Sequence, residues 1–116
     1  MEEKLGKVII APGVLVTIAR LTALSTPGVA RMSPGWTHSM GRLLRRRGPG
    51  QGVKIEVEDD TVSADLYIVV EQDVNVLKLS QEIQAEVSRA IHDMVGMDVT
   101  EVNIHIQDVE IPLNED

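Results

Sequence analysis

The 116-residue chain contains no cysteine and no phenylalanine, and Trp36 and Tyr67 are its only tryptophan and tyrosine. Without cysteine there is no disulfide framework and no thiolate metal site. Without aromatic platforms the chain lacks the surface on which single-stranded nucleic-acid readers stack bases. No apolar run reaches the roughly 18 residues of a membrane span. The opening MEEKLGK has no signal-peptide hydrophobic region, so membrane association is expected to be peripheral or through a partner. P-loop, G-x-G-x-x-G, G-x-S-x-G and H-E-x-x-H patterns are absent. The histidines His38, His92 and His105 show no metal-ligand spacing, and the carboxylate neighbour of His92, Asp93, makes only a weak metal pair. These absences argue against an enzyme, a metal site and a cofactor.

What the chain does have is aliphatic side chains and unevenly distributed charge. Hydrophobic residues make up 43%, enough for one modest aliphatic core, so residues 1–116 are read as a single domain. The net charge is −7. Residues 1–54 nevertheless carry nine basic side chains against Glu2 and Glu3 alone, and residues 55–116 carry sixteen acidic groups against Lys78 and Arg89 alone. Such a bipolar chain can solvate itself as one body, associate head to tail, or meet an anionic surface by one end.

Periodicity gives the elements. Lys7–Ile10 reads as a short strand. Residues 12–25 read as a helix opened by Pro12, with Val14, Leu15, Ile18 and Leu21 inward. Residues 29–32 read as a brief strand. Val53, Ile55 and Val57 alternate with charged residues, as do Val62, Ala64, Leu66, Ile68 and Val70 with polar ones, which predicts a hairpin turning at Asp59-Asp60. A long helix capped by Asn75 and closed by Gly96 presents Val76, Leu79, Ile83, Val87, Ala90 and Met94. A last strand turns Val102, Ile104 and Ile106 inward. The order β-α-(β)-β-β-α-β predicts an α+β fold of two layers, with two helices on one face of a mixed three- or four-stranded sheet. Residues 33–52 read as a flexible basic linker and 112–116 as a frayed tail.

Two groups of residues stand out as contact candidates. In WTHSMGRLLRRRGPGQG, Trp36 precedes Arg42, Arg45, Arg46 and Arg47, four arginines within six residues. On a short helix Trp36, Met40, Leu43 and Leu44 share one arc. That arc can fold back on the core, lie on anionic lipid, or dock on an acidic protein; nucleic acid fits least. The second group is the polar sheet face, where Tyr67, Glu101, Asn103 and His105 point outward with Asp65. His105 beside Glu101 and Tyr67 has the composition of an acid/base set, but an open sheet face offers no enclosure, and polar decoration or partner contact is the reading.

The stretches GKVIIAPGVLVTIARLTALSTPGVARM, GVKIEVEDDTVSADLYIVVE and VNVLKLSQEIQAEVSRAIHDMVGMDVTEVNIHIQDV together resemble the alkaline shock protein family of bacterial envelope stress response proteins. The resemblance implies a non-enzymatic cytoplasmic protein. Some members gather at the inner face of the cell membrane through a membrane-anchored partner, and others are linked by genomic context to lipid metabolism. Taken with the missing catalytic set and the bipolar charge, the family pattern leads to the expectation of a self-associating scaffold. It supplies no catalytic residues. Residues 35–52, with Trp36 and the arginines, depart from the family pattern.

Overall fold

The computed structural model describes residues 5–34 and 52–112. Its elements are α1 (Pro12–Ser25), β1 (Val29–Met32), β2 (Val53–Glu58), β3 (Thr61–Glu71), α2 (Val76–Val95) and β4 (Asp98–Glu110). Both helices pack against a four-stranded mixed sheet in an α+β arrangement.

The sheet is organised around β3. Its alternate residues Val62, Ala64, Leu66, Ile68 and Val70 are fully buried, as their period of two predicts. One edge of β3 pairs in parallel with β4, from Thr61↔Asp98 to Glu71↔Glu110. The other edge is shared end to end by two antiparallel strands. β2 takes residues 61–66 and β1 takes residues 68–70. Between them, the Ser33 N–H donates to the Tyr67 carbonyl and the Tyr67 N–H donates to the Gly52 carbonyl, both at 2.8 Å. The β1 chain thus leaves the strand line at Ser33, and β2 resumes that line at Gly52.

Gly52 is required there. Its φ of +93° is one that side-chain-bearing residues rarely adopt, and a Cβ would lie 2.6 Å from the Ser33 carbonyl oxygen. The hairpin turn between β2 and β3 has no glycine. Asp59 itself takes the left-handed conformation, φ 59°, which short polar side chains tolerate.

The helices close the core from one side. α2 starts at Asn75, whose side chain accepts the Lys78 N–H, and ends at Gly96 in the left-handed region, φ 77°. Its inward stripe is Leu79, Ile83, Val87 and Ile91, strictly four apart. Ile91 is thus part of a core that the sequence pattern assigned to Ala90 and Met94; Met94 is 69% exposed and Val76 38% exposed. Gln84 Nε2 donates to the Val102 carbonyl at 3.0 Å and ties the helix to β4.

Three expectations are corrected here. Lys7–Ile10 is not a strand: residues 5–11 carry no regular structure, and only Ile10 packs against the core. Strand preference is expressed through pairing, and residues 7–10 pair with none of the four strands. The order among described residues is therefore α-β-β-β-α-β. In α1 the buried residues are Leu15, Ile18, Ala19 and Ala23, while Val14 and Leu21 are 44% and 51% exposed. Close approach of the helix to the sheet and to α2 selects the two alanines, which a hydrophobicity stripe undervalues. In β2 only Val53 is fully inward; Ile55 is half-buried and Val57 is exposed as the hairpin runs past the helices.

Candidate functional site

The sheet face opposite the helices brings three polar side chains together. The parallel register sets Tyr67 beside His105 and Asp65 beside Asn103. The Tyr67 and His105 rings stack with centroids 4.2 Å apart and planes within 10°. His105 Nε2 lies 2.9 Å from Asp65 Oδ1. An ionised carboxylate can only accept, so Nε2 carries the proton of this bond. The cluster is partly exposed, with side-chain accessibilities of 38% for His105 and 26% for Asp65. It forms a low platform on an open face rather than the floor of a cavity.

The acid partner of His105 differs from the one its strand suggests. Glu101 and His105 lie four residues apart on β4, roughly 13 Å along an extended strand. Glu101 instead accepts a hydrogen bond from Asn103 Nδ2 at 3.3 Å. Asp65 reaches His105 because it sits one diagonal position away on the neighbouring strand. Of the four sheet-face candidates, the structure joins Tyr67 to His105 and Glu101 to Asn103, as two separate pairs. Alternation alone had put Asp65 on this face; its partner depends on register, which alternation does not give.

Toward the end of β3 a second feature crosses the same face. Arg31 Nη1 donates to Glu110 Oε1 at 2.9 Å, joining β1 to β4 over the central strand. Val69, opposite Arg31 in the register, is only 4% exposed although it points away from the helices. The aliphatic stem of an arginine covers apolar surface well, and Val69 is a buried residue on the outer face that alternation did not single out.

The basic group predicted from the sequence, Trp36, Arg42, Arg45, Arg46 and Arg47, lies outside the described residues. What the structure fixes is where that interval begins and ends: Ser33 and Gly52, both bonded to the backbone of Tyr67. His92 lies 3.7 Å from Asp93 and 4.0 Å from Asp98, all well exposed. Among the described residues no group of three or more histidine or acidic side chains is placed to hold a metal ion.

The helical layer carries an apolar concavity. A shallow groove of about 430 Å³ runs between the start of α1 and the end of α2, lined by Gly13, Val14, Thr17, Leu21 and Met94 among others. Its walls include Val14, Leu21 and Met94, which the helix stripes had placed in the core and which are exposed.

The model of the alkaline shock protein family, described as having a cell envelope-related function, matches residues 1–111. The chain belongs to the alkaline shock protein family. Membership bears out the resemblance carried by the sequence and makes the function cell envelope-related. This alkaline shock family chain is 32% identical to the uncharacterised protein YqhY of Bacillus subtilis (strain 168), over 91% of its own length and 78% of that protein's. It is 30% identical to the uncharacterised protein Spy1535 of Streptococcus pyogenes serotype M6, over 92% of its length and 81% of that protein's. Among solved structures it is similar to the MamM CTD H285A variant, with a TM-score of 0.53 and 14% identity, covering 86% of this chain and 100% of that one. At that identity the likeness is one of fold. Among the described residues, no helix of the alkaline shock family chain is long and apolar enough to cross a membrane.

Proposed function

We propose that this alkaline shock family protein is a non-enzymatic scaffold of the bacterial envelope stress response. It acts through protein–protein contacts and self-association at the cytoplasmic face of the membrane, to which a membrane-anchored partner recruits it.

The observation that carries this reading is the apolar groove on the helical layer. Val14, Leu21 and Met94 are exposed on a body whose core is otherwise filled by smaller or better-placed aliphatics. Contiguous exposed apolar surface on a small domain marks a contact site. The platform of Tyr67, His105 and Asp65 supports the same reading, because half-exposed side chains on an open face suit recognition by a partner surface. The basic and acidic halves of the sequence favour association between copies at low salt.

Size-exclusion chromatography with light scattering, over a range of protein concentration and salt, tests the reading. Concentration-dependent oligomers that weaken as salt rises are expected. A strict monomer at high concentration and low salt overturns it.

A further inference from the structure

Residues 5–9 form an apolar arm. Leu5, Val8 and Ile9 are 90%, 89% and 82% exposed, while the next residue, Ile10, is packed against the core. The arm therefore leaves the body at Ile10, two residues before α1. The groove opens three residues later, at Gly13. Arm and groove are thus neighbours in the chain, both apolar and both open.

The arm is not seated in its own groove, since its apolar side chains are almost fully exposed. Ala11 is extended, with φ −70° and ψ 142°, and it precedes Pro12. A residue before proline is held out of the helical region, so α1 does not extend back into the arm. We infer that the arm Leu5–Ile9 of one copy seats in the groove between α1 and α2 of a second copy, and that the exchange is reciprocal. A two-fold axis near the start of α1 places each arm over the other copy's Val14, Leu21 and Met94, because the root of each arm adjoins its own groove. Charge is compatible as well: Lys7 is the only charged residue of the arm, and the exposed Asp93 precedes the groove residue Met94 in the chain. This inference rests on the self-association proposed above and names the surfaces that make it.

The absence of cysteine from the chain makes disulfide trapping clean. Full-length Val8→Cys protein is mixed with differently tagged Met94→Cys protein and oxidised. A mixed disulfide forming at least about tenfold faster than with Glu56→Cys, on the opposite sheet face, is expected. Equal rates overturn the inference. So does a disulfide within one chain of the Val8→Cys/Met94→Cys double variant at high dilution, which would place the arm in its own groove. In parallel, the Leu5→Asp/Val8→Asp/Ile9→Asp variant is compared with the parent by light scattering, with circular dichroism to show that it still folds. Association at least about tenfold weaker is expected. If the parent self-associates and the variant does so equally, the arm is not the contact and the scaffold reading stands. If the parent stays monomeric at every concentration, both fall.

Discussion

Ser33 and Gly52 are consecutive along one sheet edge although the whole arginine-rich interval lies between them in sequence. One donates to the carbonyl of Tyr67 and the other accepts from its amide, each at 2.8 Å. On the outer face the Tyr67 side chain stacks on His105. The described residues on either side of the interval that departs from the family pattern therefore flank Tyr67, whose side chain belongs to the polar platform.

The junction predicts a sensitive glycine. Gly52→Ala forces an unfavourable φ and sets a Cβ against the Ser33 and Tyr67 carbonyl oxygens and Met32. A loss of about 2–4 kcal/mol is expected from combined strain and overlap. Gly96→Ala, with φ 77° but open space around the new Cβ, should cost only about 1 kcal/mol. Urea unfolding midpoints of the two variants separate overlap from backbone strain.

Within α1, two leucines should behave oppositely. Leu15 is 1% exposed and Leu21 51%. Leu15→Ala is expected to cost about 2–5 kcal/mol, as truncation of a packed core leucine does. Leu21→Ala should change the stability of the dilute protein by less than about 1 kcal/mol. Thermal melts at low concentration measure the pair; equal losses would mean that the helix is rotated relative to the structure described.

The platform on the outer face predicts a modest, measurable coupling. Asp65→Ala, His105→Ala and the double variant form a cycle whose interaction energy should be about 0.5–1 kcal/mol, small because both groups face solvent. It should fall with added salt if the histidine is charged when paired. Tyr67→Leu keeps the bulk and removes the stack, for a further loss of about 0.5–1 kcal/mol. Denaturant titrations at two ionic strengths give both values.

Arg31 should matter more than the acid it bonds. Glu110→Ala removes an exposed ion pair and is expected to cost less than about 1 kcal/mol. Arg31→Ala also removes the long side chain opposite the buried Val69 and should cost more. If the two variants lose stability equally, the charge pair and not the covering stem is what Arg31 contributes.

The N-cap of α2 offers a check on local structure. Asn75→Ala removes the acceptor for the Lys78 N–H and should destabilise by about 1 kcal/mol. Asn75→Asp should retain most of that stability. Unfolding curves of the two variants are the measurement.

Much of this architecture was legible in the residues themselves. The alternation of Val62 to Val70, the cap at Asn75, the glycine stop at Gly96, the brief strand at Val29–Met32 and the two-layer α+β class all follow from local periodicity and backbone preference. So does the outward set containing Asp65, Tyr67 and His105. The features that were misassigned share a cause. Val14, Leu21 and Met94 are as apolar as core residues, and only the packing of the helices shows that Ala19 and Ala23 hold the core places on α1 and Ile91 the one on α2.

The sequence on its own determined which faces of the helices and strands are apolar, because side-chain direction repeats with the period of the backbone. Tertiary structure alone decided who meets whom across those faces: His105 with Asp65 instead of Glu101, Ser33 next to Gly52, and an arm at Leu5–Ile9 left outside the sheet. Register and edge occupancy are set by contacts between residues far apart in the chain, and no local pattern carries that information.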